Sequence, residues 1–166
     1  TPAEAMENGD AAQAGDIVVL TVPAEHQEAT LSAVKESLIG KILIDVTVPL
    51  VPPKVGTVQL PEEGSAGKRA QMLLGEEVFV VSAFQNIAAH LLKEEVKIEC
   101  DVLVTGNKKA ARQRVIELIE SAGMTGWHAG PIANSAAAEA LTSILIQINR
   151  GGVLSHSGIK IIGQEH

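Results

Sequence analysis

Uninterrupted apolar runs alternate along this chain with segments of helical spacing. The first run is Ile17-Val18-Val19-Leu20-Thr21-Val22, six apolar or β-branched residues with no polar alternation. A strand sheltered on both faces reads this way, as in the middle of a parallel sheet. Pro23 stops the run, and Glu25 and His26 open a segment whose Leu31, Val34 and Leu38 share one helical face up to Gly40. The same alternation recurs. Lys41 to Val46, Val78 to Ala83 and Asp101 to Thr105 read as strands, Thr125 to Ala129 as a weaker one, and Gly158 to Ile162 as a strand-like tail. Ser65 to Leu74, Ala88 to Lys93, Lys108 to Ala122 and Ser135 to Arg150 read as helices, and Pro2 to Gly15 as a short helix and turn. The pattern predicts a parallel α/β sheet.

One segment breaks the rhythm. Thr47 to about Gly64 holds four of the seven prolines and is longer than an ordinary connection between strand and helix. Proline fixes φ and removes donors, so a stiff, irregular loop is expected at the carboxyl end of the second strand. Long stiff loops in compact domains are usually functional.

Composition narrows the picture. The chain is 46% apolar but only 2% aromatic, so its core must be built from Ala, Val, Ile and Leu. Residues 1–166 are about the size of one domain. The net charge of −7 is spread along the chain without a run of Lys or Arg, which argues against nucleic acid and anionic membrane as partners. Cys100 is the single cysteine, so no disulfide framework or cysteine-rich metal site is expected, and a cytoplasmic setting fits. No stretch is long enough to span a bilayer. The chain begins at Thr1, and its first segment reads as the middle of an α/β domain, since such domains usually open with a strand.

In open α/β sheets ligands sit beyond the carboxyl ends of the strands. That places a cofactor expectation on Thr21, Val22, Pro23 and His26, with a solvated first-turn histidine as the plain alternative for His26. His90, on a short apolar segment, reads as a core or interface histidine. His128 has no carboxylate or cysteine near it in sequence, which disfavours metal. Lys108, Lys109, Arg112 and Arg114 crowd the start of their helix, against the helix dipole, and read as a solvated face. No G-x-S-x-G elbow and no G-x-G-x-x-G turn occurs, and the glycines at 123, 126 and 130 do not make one.

Six ordered blocks carry a family resemblance: D-I-V-V-L-T-V-P-A-E-H, I-D-V-T-V-P-L-V-P-P, V-V-S-A-F-Q-N-I-A-A, C-D-V-L-V-T-G, A-G-P-I-A-N-S followed by E-A-L-T and I-N-R, and G-I-K-I-I-G. Together, over essentially the whole chain, they resemble the NADPH-dependent reductases of the deazaflavin coenzyme F-420. Members of that family begin with a strand, a glycine-rich phosphate loop and a turn that binds the NADP 2′-phosphate, parts absent from these residues. The resemblance implies a truncated Rossmann-like parallel sheet with helices on both faces and a long C-terminal helix. It implies hydride transfer between NADPH and the deazaflavin, with no catalytic acid, base or metal: the cofactors bring the chemistry and the protein brings alignment. Carried over by motif, Thr21, Val22, Pro23 and His26 would border the NADP ribose and nicotinamide. Val48, Pro49, Leu50 and Val51 would wall the cleft, Gln85, Asn86, Ile87 and Ala88 would lie where the rings meet, and Asn134 and Ser135 would face the deazaflavin.

Two other readings stay open from the residues. One is a truncated, non-catalytic binding or dimerisation module of the same fold. The other is an NADPH-dependent reductase of an imine or a hydroxy or keto acid, which needs a proton donor; His26 and Lys54 are the candidates. The apolar stripe of Ala137, Leu141, Ile144, Leu145 and Ile148, widened by Ala140 and Ile146, predicts a homodimer contact on the last helix. An Ile17 to Val22 strand without its usual neighbour would have an unprotected edge, so the family's amino-terminal piece, a second copy or the Pro2 to Gly15 segment is expected to cover it, with a second copy as the preferred reading.

Overall fold

The structure is a computed structural model describing residues 3–93 and 98–164; Thr1 and Pro2, at the head of the first predicted segment, lie outside them. Five strands, β1 (Ile17–Leu20), β2 (Ile42–Asp45), β3 (Phe79–Ser82), β4 (Asp101–Gly106) and β5 (Thr125–His128), form one sheet in sequence order. The helices are α1 (Asn8–Ala14), α2 (Gln27–Val34), α3 (Ala66–Leu74), α4 (Lys109–Ser121) and α5 (Ser135–Arg150). Four short 3-10 turns complete the regular structure of the described residues, including Ala24–His26 before α2 and Ala89–Lys93 after β3.

The pleat sorts the apolar runs to two faces. Leu20, Leu43, Val78 and Val80 meet Leu31, Val34, Ala70 and Leu74 of α2 and α3. Ile44, Val81, Val102 and Val104 meet Ala111, Val115, Ile116 and Ile119 of α4. Helices therefore cover both faces. Serine at the head of α3 explains where that helix starts: the Ser65 hydroxyl accepts the Lys68 amide at 3.0 Å. Gly75, at φ +78°, ends it.

Three expectations are corrected. The sheet is not wholly parallel: β1, β2 and β3 are parallel, but β4 runs antiparallel to β3, with Ser82 opposite Thr105, and β5 then runs parallel to β4. A parallel return needs a crossover, usually a full helix. The only regular structure described between β3 and β4 is one five-residue 3-10 turn. Second, the tail at 158–162 is no strand. It lies along the head of β4, where the Asp101 amide donates to the Ile159 carbonyl at 2.9 Å and the Asp101 carboxylate accepts the Ile161 amide at 2.9 Å. Asp101 and Cys100 anchor it in place of a ladder. Third, of the two readings of His90, core or interface, the core one fails: the side chain is exposed, its ring 3.8 Å from that of His156.

Among the described residues no strand lies outside β1, and Val19 is 46% exposed. The expectation that the preceding segment covers this edge is not met: α1 packs on α2 and the turn after it, sending Ala12 into the first core cluster. A groove lined by Asn8, Ala11, Val19, Thr21 and Thr30 stays open beside the strand.

Candidate functional site

The parallel strands β1, β2 and β3 release three segments at one edge of the sheet. After β1 the chain bends at Pro23 into the turn that holds His26. After β2 it enters the proline-rich loop. After β3 it reverses through Phe84, whose φ of +72° is a backbone conformation a bulky residue rarely takes. Strain of this kind is held only where surrounding contacts fix it, and such positions cluster at functional sites. Here the turn throws Gln85 and Asn86 inward.

Beneath these segments lies a closed polar network. Asp45, the last residue of β2, is fully buried. Its carboxylate accepts the Thr47 amide at 2.9 Å, the Thr47 hydroxyl at 2.7 Å and the Gln27 side-chain amide at 2.5 Å. Gln27 also donates to the Thr47 hydroxyl and the Ala66 carbonyl, while its own carbonyl accepts Arg69 Nε at 2.8 Å. Arg69 reaches on to the Ala24 carbonyl at 3.2 Å. Gln85 donates to the Asp45 backbone carbonyl at 2.9 Å and to the Ser82 hydroxyl at 2.8 Å. Burial pushes the Asp45 carboxyl up, against the lowering pull of Thr47, Gln27 and the Arg69 charge.

A second carboxylate closes the network from α5. Glu139 is 1% exposed and accepts the Ala66 and Gly67 amides at 2.7 and 3.0 Å, capping α3 from another helix. Burial raises it to about 7, and the two amides only partly offset that. The Ser135 hydroxyl donates to Ser65 at 2.7 Å, and Gly67 admits the approach: a Cβ there would stand 2.9 Å from Ser82 Cβ and 3.0 Å from Ser135 Oγ. No buried side-chain nitrogen or oxygen among the described residues lacks a partner.

The residues singled out from the sequence divide into three groups. Thr21, Pro23 and His26 are exposed at the end of β1 with Val22 half-buried beside them, and His26 stands 3.8 Å from Glu25. Val48, Pro49 and Leu50 are half-buried and Val51 exposed along the loop after β2. Ile87 and Ala88 are half-buried and line a shallow pocket with Thr142, Leu145 and Ile146 of α5. Gln85 and Asn86 sit with them in the chain, but their side chains point into the protein. Asn86 donates to the Ala138 carbonyl at 2.9 Å and to the Thr142 hydroxyl at 3.2 Å. Asn134 and Ser135 are set apart: Asn134 is exposed and bonded to the Ala129 carbonyl at 2.7 Å, and Ser135 is fully buried under α3. Asp45, Gln27, Phe84 and Glu139 escaped the sequence reading. Two of them carried a signal, since Asp45 and Glu139 are charges set inside otherwise apolar runs.

Chemically the edge offers surfaces, with the exposed Glu25 and His26 beside them. Its two buried carboxyls are committed to structural bonds, and no group of three His, Cys, Asp or Glu suited to a metal occurs among the described residues. Val48, Pro49 and Leu50 on the loop after β2, and Ile87 and Ala88 beside the α5 pocket, are half-buried apolar side chains of the kind that flat rings pack on. The head of α3 cannot cradle a phosphate, because Glu139 already takes its Ala66 and Gly67 amides.

A relative from Methanocaldococcus jannaschii, named F420-dependent NADP reductase, is 36% identical over 165 residues, covering 96% of this chain and 74% of its own length. The chain belongs to the F420-dependent NADP reductase family. A reductase of the same name from Methanothermobacter thermautotrophicus is 36% identical over 95% of the chain and 71% of its own length. The family model described as NADP oxidoreductase, coenzyme F420-dependent, matches residues 1–49. Among solved structures, a provisionally named F420-dependent NADP reductase from Arthrobacter sp. FB24 superposes with a TM-score of 0.82 at 27% identity, over 95% of this chain and 74% of its own. At 96% coverage the match takes in α5 as well as the three segments at the sheet edge.

Proposed function

We infer that this chain carries out hydride transfer between NADPH and the deazaflavin coenzyme F-420, with its three edge segments serving to align the two rings. The observation that supports this is the set of half-buried apolar side chains Val48, Pro49, Leu50, Ile87 and Ala88 on the segments after β2 and β3, a lining that suits flat rings and does not depend on an acid, base or metal. Direct hydride transfer needs no such group, because the two cofactors supply the chemistry. The chain's residues contribute orientation and exclusion of water. His26 and the 21–23 turn border the nicotinamide and ribose, Val48 to Val51 form the wall, and Ile87 with Ala88 lies at the ring junction. Gln85 and Asn86 hold that junction from beneath. Reduction of an imine or keto acid would need a proton donor as well, and His26 and Lys54 both stand exposed to solvent. The test is a mixture of the purified protein with its upstream region restored, NADPH and oxidised deazaflavin, followed by loss of deazaflavin absorbance. Turnover of an imine or keto acid in its place, or no turnover with any of them, overturns this reading.

The assembly proposed is a homodimer through α5. Its outward face carries Ala137, Leu141, Ile144 and Ile148, with Ile144 48% and Ile148 43% exposed. Covering large apolar side chains stabilises an interface by about 1.5–3 kcal/mol each. A two-fold contact is the usual solution. Sedimentation at micromolar concentration is expected to give a dimer, and a monomer removes the proposal. No helix of the described residues is long and apolar enough to cross a membrane. A cytoplasmic setting is part of the same reading, supported by Cys100 as the chain's single and buried cysteine.

A further inference from the structure

Each segment at the sheet edge leaves a different strand, so nothing in the backbone path alone makes the three move together. The buried network denies them independence. Asp45 Oδ1 holds the Thr47 amide and hydroxyl, at the root of the Val48 to Val51 wall. Asp45 Oδ2 holds Gln27, the residue directly after His26. The Asp45 main-chain carbonyl holds Gln85, two residues before Ile87. One residue thus fastens all three segments directly. Arg69, on the Gln27 carbonyl and the Ala24 carbonyl, ties the His26 turn a second time.

We propose that Asp45, with Gln27 as its partner, is a positioning residue for hydride transfer that sets the nicotinamide-side turn, the cleft wall and the ring-junction segment in one mutual geometry. It touches neither cofactor and is fully buried. Its effect is on the alignment of the bound rings, to which transfer is steeply sensitive: misplacement by about 1 Å costs on the order of 100-fold in rate. The proposal rests on the hydride-transfer reading above.

The bonding pattern dictates the test. In Asp45→Asn, a side-chain NH2 replaces one acceptor and confronts the Gln27 NH2. Gln27→Glu alone sets two carboxylates against each other. When both substitutions are combined, the amide now at position 45 donates to the carboxylate now at position 27. That carboxylate also faces Arg69 Nε directly, so the bond between positions 45 and 27 is complementary again with its charge moved to the other partner, although the bond to the Ala66 carbonyl is lost. Thr47→Val is a milder probe that removes one hydroxyl and leaves the Thr47 amide bond to Asp45 intact. Steady-state kcat and KM for both cofactors are measured beside the unfolding temperature. In the two single variants of the pair kcat is expected to fall about 10- to 100-fold, with each KM changing less than about threefold. The double variant is expected to recover most of kcat, and Thr47→Val to lose several-fold. A lower unfolding temperature with kcat intact, or a double variant no faster than its worse parent, overturns the proposal. If the two singles do not fold, Thr47→Val and the double variant decide it alone. A parent protein that turns over no deazaflavin sinks the function reading instead, so the two failures are told apart.

Discussion

Ile87→Asp lowers hydride transfer by roughly 100-fold, about 2.7 kcal/mol of transition-state stabilisation, in a protein that is still folded at the temperature of the assay. Ile87 is half-buried, with one side packed on the cluster that includes Val102 and Val104 and the other on the shallow pocket shared with α5. A carboxylate there brings a hydration shell to the point where two flat rings must exclude water. The same packing shows that Ile87 also contributes to stability, so the substitution lowers the unfolding temperature as well. Ile87→Ala separates the two effects: it removes contact area without introducing charge and is expected to slow transfer about tenfold. Single-turnover rates with both cofactors saturating, taken well below each variant's unfolding transition, make the comparison. An Ile87→Asp protein that transfers hydride like its parent removes Ile87 from the ring junction.

Stability falls as pH rises from about 5 to about 8, and Glu139 is the main reason. Its folded-state carboxyl titrates at about 7 against an ordinary 4.5, so the native state holds a proton the unfolded chain has released. For an acid raised in this way the stabilisation is complete below the unfolded value and lost as pH climbs through the folded one. At about 1.4 kcal/mol per pH unit, the loss is roughly 3 kcal/mol. Asp45, raised by the same burial, pulls in the same direction. Asp101 opposes them at the acid end. Burial pushes it up, but the Ile161 amide, the Trp127 indole and the Lys160 ammonium outweigh that and hold it low, so its contribution disappears as pH drops below about 4. Denaturant midpoints are expected to be higher at about pH 5.5 than at about pH 8, and Glu139→Gln flattens the difference. Glu139→Ala is harsher, since it strips partners from the Ala66 and Gly67 amides at roughly 1–3 kcal/mol each. Equal midpoints at both pH values in the parent would show that Glu139 is ionised throughout.

Much of the architecture is written in apolar periodicity. Ile17 to Leu20 and Val78 to Val81 run without polar breaks because helices cover both faces of the sheet, and the Ser135–Arg150 helix has the boundaries its stripe and flanking Gly130-Pro131 indicate. Ser65, read from the sequence as the first residue of its helix, proves to be the cap that precedes α3. The direction of β4 is invisible in the same signal, because a run of apolar residues is indifferent to which way its neighbour points. The tail misleads for a related reason: Gly158 to Ile162 has a strand's composition, but its bonds go to Asp101 and to Cys100. The site was legible as a region and less so as residues. Strand ends and prolines mark where the three segments emerge, yet nothing in Q-N-I-A distinguishes a glutamine that lines a cleft from one that braces it. That distinction depends on Asp45, 40 residues earlier in the chain.

The way the tail is fastened gives the protein its own chemical reporter. Gly158 lies so close over Cys100 that an added Cβ would stand 2.5 Å from the sulfur, and the Ile159 amide donates to that sulfur at 3.3 Å. Burial holds the thiol above its ordinary pKa and so keeps it unreactive while the tail is seated. Alkylation of Cys100 must therefore wait for the strap at 157–162 to lift, and its rate counts those openings one by one. Since Ser157 borders the pocket beside Ile87 and Ala88, a thiol reagent read over time measures how often that end of the molecule breathes, with no introduced label and no substitution.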